Sequence, residues 1–292
     1  MTEKLVQLLT VEWCEDLITR SLEEDGALQG DITTRSIIDA TKEGTFELRS
    51  RERGVVAGLH VLEKGAGVLG SFLLRPNCHD GDSATGLLAT LEGSVVSILA
   101  AERAMLNILG YASGIATHTS KFVDALKGTE CVVCDTRKTT PGLRVLDKYA
   151  VCCGGGTHHR IGLHDAVLYK DNHITDIPLD KLELQLGNAI TMARSGSDLA
   201  FVEVEVDTIE QLEIVLRLPV DIVLLDNMSV DMLGEAVKLR NNSPNNPLLE
   251  ASGGITVDEA PAIAATGVDR IAVGGLVHRS NWLDVGLDAI DG

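Results

Sequence analysis

The chain has 292 residues, 45% hydrophobic and 23% charged, which is enough for one large domain or two unequal ones around a sizeable core. Twenty-five Lys and Arg against 43 Asp and Glu give a net charge of −18, a balance that argues against nucleic acid or an anionic membrane as partner. Met1 to Thr10 lacks the charged start and apolar stretch of a secretory signal, no apolar run reads as a membrane span, and the six cysteines read as reduced thiols; a cytoplasmic protein is expected.

In chain order, Leu5 to Glu24 has the spacing of one amphipathic helix. Gly44 to Gly58 reads as strands interrupted by the charged stretch Arg49-Ser50-Arg51-Glu52-Arg53, and Ala100 to Leu126 as a helix split by Gly-Tyr-Ala-Ser-Gly at 110–114. No regular repeat organises the first ~115 residues. From 131 onward short β-branched runs (131–135, 166–170, 201–206, 221–226, 248–252, 270–274) alternate with helical segments at 179–194, 208–217, 230–240 and 256–265. Thr208-x-x-Gln211 and Thr256-x-x-Glu259 are capping-box signals for two of these helices. Such alternation predicts parallel strands with crossover helices; a (β/α) barrel is preferred over an open dinucleotide-binding sheet, since no G-x-G-x-x-G follows a first strand. Cys131 and Cys134 fall on opposite faces of their strand, and Cys152-Cys153 supplies no matching second pair, so core thiols are expected rather than zinc ligands.

In a βα barrel, chemistry belongs at the carboxyl ends of the strands. There the sequence places Asp135 to Arg144 with Arg137 and Lys138, then Lys170-Asp171-Asn172-His173, and then Asp226-Asn227. In 201–206 the valines take one face, which aims Glu203 and Glu205 into the barrel, where unpaired carboxylates are costly. Acids at two neighbouring strand ends suit Mg²⁺ or ribose hydroxyls. Gly253-Gly254 and Gly274-Gly275 follow the last two strands, where barrels hold phosphate against closely approaching backbone amides. Gly154 to Arg160, with Arg137, Lys138, Arg144 and Lys170, concentrates cations in an acidic protein and suits a multiply charged anion. His158-His159 could suggest a metal, but adjacent residues rarely face one ion, so anion binding is preferred.

These residues resemble the quinolinate phosphoribosyltransferase family. The resemblance rests on Asp135-Thr136-Arg137-Lys138-Thr139, Pro141-Gly142-Leu143-Arg144, Lys148-Tyr149-Ala150, Gly154-Gly155-Gly156 with His159-Arg160, and Lys170-Asp171-Asn172-His173. Further matches are Gly30 to Thr34, Gly54 to Gly58, Ala101-Glu102-Arg103, Ser113 to Thr117, Glu203 to Val206, Leu225-Asp226-Asn227 and Glu250 to Gly254. The family resemblance implies an α/β protein: an N-terminal α/β sandwich domain (1–115), rejoined by the tail 276–292, plus an open, incomplete α/β barrel (116–275) of the type II phosphoribosyltransferase kind. It implies transfer of the phosphoribosyl group of phosphoribosyl pyrophosphate to quinolinate with decarboxylation, giving nicotinate mononucleotide in NAD biosynthesis. By the same resemblance Arg137, His159, Arg160 and Lys170 hold the quinolinate carboxylates, with Arg103 reaching in from a partner chain. Lys138 contacts pyrophosphate, Glu205 and Asp226 take the ribose hydroxyls and Mg²⁺, and Ser252, Gly253, Gly254, Gly274 and His278 hold the 5′-phosphate. No organic cofactor is implied, and a homodimer or an assembly of dimers with shared sites is. The chain departs from the family's Ser/Ala-Val-Gly-Ala-Leu-Thr-His-Ser at Ala272 to Arg279, where Val277 replaces the threonine and Arg279 follows His278. The alternatives are a paralogue with another aromatic acceptor such as nicotinate, a phosphate-binding barrel lyase with Lys170 as nucleophile, and a non-catalytic protein that kept the fold.

Overall fold

A computed structural model describes residues 2–196 and 198–290. Its strands are β1 (Glu43–Val55), β2 (Phe72–Pro76), β3 (Ser83–Ser94), β4 (Val132–Cys134), β5 (Val167–Tyr169), β6 (Val202–Val206), β7 (Ile222–Asp226), β8 (Leu248–Ser252), β9 (Arg270–Ala272) and β10 (Val285–Ala289). The chain divides into two compact units, one of residues 1–120, 140–155 and 279–292, the other of 121–139 and 156–278. Residues 140–155 belong with the first unit, where the helix Arg144–Cys153 meets the N-terminal helix Thr2–Leu8.

The first unit carries an antiparallel sheet in the order β10-β1-β3-β2. Three expectations are corrected there. Leu5 to Glu24 is not one helix but two, Thr2–Leu8 and Val11–Glu24, because the Thr10 hydroxyl accepts the Trp13 N–H at 3.1 Å and caps the second. β1 runs unbroken through the charged stretch: it bulges between Ser50 and Gly54, and Arg51 turns its fork outward to Asp288 on β10 at 2.6 and 2.9 Å. The glycines at 110 and 114 do not split their helix either, which runs from Val95 to Ala125. A Cβ at Gly114 would lie 2.2 Å from the Asn281 carbonyl, and one at Gly110 3.0 Å from that of Leu283, so these glycines admit the returning tail. By length and composition this helix could cross a membrane, but 56% of its most apolar stretch is buried, as in a core helix.

The second unit is a six-stranded, wholly parallel sheet in the order β4-β9-β8-β7-β6-β5. Among the described residues β4 and β5 do not pair with each other, so the barrel is open. All six strands fall within the runs expected from sequence, as do three of the four helices to within two residues (Leu179–Gly196, Ile209–Val215, Val230–Asn241). The fourth is shorter, Ala260–Ala264, because Glu259 turns back onto the Thr256 N–H and hydroxyl at 3.0 and 2.7 Å and closes a turn ahead of the helix. Thr208 and Gln211 form the expected capping box. Val202, Val204 and Val206 are fully buried on one face of β6, which leaves Glu203 and Glu205 on the other. Parallel register puts Leu168 beside Glu203, and Leu224 beside both Glu205 and Glu250; Arg270 lies beside Glu250. The interior face of the barrel therefore carries charge.

Candidate active site

Two layers of polar groups follow from that register. The deeper one is closed on itself. Glu203 and Glu250 are both 0% exposed, and His159 lies between them, its Nε2 2.7 Å from Glu203 Oε2 and 3.5 Å from Glu250 Oε1. Arg270 Nε sits 2.6 Å from Glu250 Oε2, and the Cys134 thiol donates to the same oxygen at 3.4 Å. Burial pushes both carboxyls up to about 7; Glu203 itself raises Glu250 further, while Arg270 opposes the shift in both. Burial likewise pushes the Cys134 thiol well up, so it stays protonated and acts as a donor. His159, Glu203 and Glu250 have the ligand types and proximity of a metal site. The Arg270 guanidinium already supplies the positive charge there, which leaves a cation little to gain.

The outer layer lies at the strand ends. Arg137 and Lys138 follow β4, Lys138 exposed and its stem lying over Gly274 so closely that a Cβ there would be 2.7 Å from Lys138 Cδ. Lys138 thus adjoins the glycine turn after β9. Arg137 Nε is buried without a hydrogen-bond partner among the described residues. Arg160 is only 8% exposed; burial lowers its pKa, and the nearby like charge of Arg137 lowers it further. Glu203 and Asp165 act on Arg160 in the opposite sense, and two neighbouring guanidiniums suit a multiply charged anion. Lys170, one residue past β5, forms an ion pair with Glu205.

Asp226 ends β7, and its Oδ2 accepts from Asn227 Nδ2 at 2.6 Å. Asn227 has φ 53°, and its amide oxygen packs against Gly253, where a Cβ would meet it at 2.3 Å. Gly253 and Gly254 have φ of 112° and 61°, and Gly254 borders open space, as close backbone approach to a ligand requires. Ser252 closes β8 before them, and His278 is exposed at the end of the short helix Gly275–His278. Lys170 and Asn227 each engage one oxygen of their acid, leaving the second for a hydroxyl or a hard cation. Mg²⁺ fits such a site, since it needs only one or two carboxylates beside substrate phosphates and water.

The expected site residues Arg137, Lys138, His159, Arg160, Lys170, Glu205, Asp226, Ser252, Gly253, Gly254, Gly274 and His278 all lie in the second unit. Arg103 is exposed on the helix Val95–Ala125 of the first, and Arg144 heads the helix Arg144–Cys153 of the same unit. The His159 ring lies among protein groups, for Nδ1 accepts the Arg160 N–H at 2.7 Å while Nε2 is 2.7 Å from Glu203 Oε2. Sequence reasoning missed Arg270 and the partnering of Glu250. The only available signal was an arginine opening an apolar strand in register with a glutamate.

Two family models match, the quinolinate phosphoribosyl transferase N-terminal domain over residues 31–113 and its C-terminal domain over 115–288. The chain is 42% identical over 280 residues to the nicotinate-nucleotide pyrophosphorylase [carboxylating] of Mycobacterium leprae, covering 94% of this chain and 96% of the relative. It is 36% identical to a probable enzyme of the same name from Bacillus subtilis, covering 89% and 88%. The crystal structure of nicotinate-nucleotide pyrophosphorylase from Ehrlichia chaffeensis superposes with a TM-score of 0.83 at 37% identity, over 94% of this chain and 98% of that one.

Proposed function

Since the chain belongs to the quinolinate phosphoribosyltransferase family, we propose that its barrel rim performs that family's reaction, in which quinolinate and phosphoribosyl pyrophosphate give nicotinate mononucleotide, pyrophosphate and CO₂. It is a pentosyltransferase of NAD biosynthesis. The observation that carries the assignment of groups is the Arg137–Arg160 pair, two guanidiniums in mutual repulsion with a buried Arg137 Nε left without a partner. A dianion relieves that repulsion better than a monoanion, which favours quinolinate over nicotinate.

On this reading Arg137, Arg160 and Lys170 hold the two carboxylates. Lys138, lying over Gly274, takes the pyrophosphate, and Ser252, Gly253, Gly254, Gly274 and His278 take the 5′-phosphate. Lys170 exchanges its bond to Glu205 for one to the acid, which frees that carboxylate for the ribose. Glu205 and Asp226 would hold Mg²⁺, which when bound neutralises the pyrophosphate. The pyridine nitrogen attacks the anomeric carbon as the bond to pyrophosphate breaks, and Lys138 receives the developing negative charge. Glu205, 6% exposed, stabilises the oxocarbenium-like centre. The adjacent carboxylate then leaves as CO₂; its bonding pair stays on the ring carbon beside the cationic nitrogen, and a solvent proton completes the product. We read the protein as a cytoplasmic homodimer in which Arg103, exposed on the first unit, serves the site of a second copy; the six free cysteines fit a reducing compartment.

The test is incubation with phosphoribosyl pyrophosphate, Mg²⁺ and either quinolinate or nicotinate, with chromatographic detection of nicotinate mononucleotide. Product from quinolinate is expected. Product from nicotinate alone would overturn the assignment of the acceptor.

A further inference from the structure

The sheet stops holding the chain one residue before Lys170. β5 is an edge strand, and its ladder with β6 ends at the pair Tyr169 and Val204. Lys170 follows as the N-cap of the short helix Asp171–Ile174. Lysine is poorly suited to that place, because its side chain offers no acceptor to the amides of the first turn. The turn is closed in another way. The His173 N–H donates to the Lys170 carbonyl at 2.8 Å, and the Lys170 N–H donates to His173 Nδ1 at 2.8 Å. The second bond is the returning half of a capping box, with an imidazole where glutamate or glutamine is usual. The same ring meets Tyr169 edge-on, with centroids 6.4 Å apart.

This closure bears on where the ammonium goes. Leu168 lies beside Glu203 in the register of β5 and β6. Lys170 is still extended, at φ −111° and ψ 170°, so strand alternation carries through it and returns its side chain to the face of Leu168. There it forms its ion pair with Glu205. A lysine stem is flexible, and the direction in which it reaches is set by the backbone beneath it. His173 holds that backbone at both of its polar groups, the N–H and the carbonyl.

We propose that His173 is a positioning residue: by closing the turn on Lys170 it aims the Lys170 ammonium along the inner face, at Glu205 and then at the acceptor. This rests on the functional reading above, in which Lys170 exchanges Glu205 for a carboxylate of quinolinate.

Two measurements test it. His173→Leu removes the acceptor, whereas His173→Gln keeps one, since glutamine at this helix position also reaches back to the capping amide. The position is exposed, so both variants should fold. In NMR of protein made with ¹³C,¹⁵N-lysine, the Lys170 signals are identified by their loss in Lys170→Met. His173→Leu is expected to speed hydrogen exchange of the Lys170 amide about tenfold and to shift its Cε signal, with His173→Gln close to the unaltered protein in both. An unchanged amide would overturn the proposal, and so would a released amide beside an unmoved Cε. In kinetics, His173→Leu should raise the KM for quinolinate about three- to tenfold, the scale of one hydrogen bond, with the KM for phosphoribosyl pyrophosphate unmoved. His173→Gln should stay within about twofold of the unaltered protein. Equal loss in the two variants would mean that the imidazole itself meets the substrate, and an equal rise in both KM values would mean a general disturbance of the site; either result overturns the proposal. If the unaltered protein makes no product from quinolinate, the functional reading fails, and the NMR comparison still decides whether His173 aims Lys170.

Discussion

The barrel's inner layer and its rim use the same residue types to opposite ends. Inside, Glu203 and Glu250 lie close to His159, with Arg270 2.6 Å from Glu250, and none of them is more than slightly exposed. At the rim, the like charges of Arg137 and Arg160 stand together, opposed on Arg160 by Glu203 and Asp165, and Lys170 forms an ion pair with Glu205. A charge matched by its neighbours holds structure, whereas like charges left together store a free energy that a bound anion releases. That contrast separates support from site more sharply than burial does, since Arg160 is nearly as buried as His159.

Removing rim cations should have the largest effect. Arg160→Ala is expected to lower kcat/KM for quinolinate by about 10² to 10³, the scale for deleting one partner of a desolvated charge pair, while phosphoribosyl pyrophosphate still binds by calorimetry. Equal loss of both substrates would erase the division of labour. Glu205→Gln should come next, reducing kcat by about 10² with smaller changes in either KM, because the carboxylate serves a charge present only in the transition state. Gly253→Ala should raise the KM for phosphoribosyl pyrophosphate by about tenfold, since a Cβ collides with Asn227 in a backbone region costing about 1–3 kcal/mol for an L-residue.

The inner layer should show itself in stability rather than in turnover. Folded Glu203 and Glu250 titrate near 7 against an ordinary 4.5, so the folded chain holds protons that the unfolded chain has released. Their contribution is whole below pH 4.5 and is lost as the pH rises towards 7. Urea midpoints should fall over that interval, and Glu250→Gln should flatten the slope. The smallest effect belongs to the other unit, where Arg51→Ala removes a solvent-exposed pair with Asp288 and should leave the thermal midpoint unchanged within error.

Much of the second unit was legible in the sequence because a parallel strand buried on both faces reads as a short β-branched run, and six such runs stood between helical segments. The first unit was harder. β1 carries charge through its middle because one face meets solvent, so Arg49 to Arg53 mimicked a loop, and Gly110 and Gly114 mimicked a break because the residues that require them lie some 170 positions on, at 281–283. The helix Arg144–Cys153 was hidden by its own motif residues, and Asp147, its acceptor for the Thr140 N–H at 2.7 Å, gave no signal as a buried acid.

By itself the sequence determined the residue types of the anion site and their place at strand ends, because local runs, glycine pairs and capping signals are short-range properties of the chain. Glu203 and Glu205 could be aimed inward from alternation alone. What they meet there could not be read from the sequence. Only the tertiary register decided that Glu205 faces Lys170 while Glu203 faces His159, and that Arg270 reaches Glu250 from the neighbouring strand. Strand pairing brings together groups tens of residues apart, and a shift of a single residue would exchange every partner. For that reason His159, grouped by sequence with the rim cations, also has its Nε2 2.7 Å from the buried Glu203.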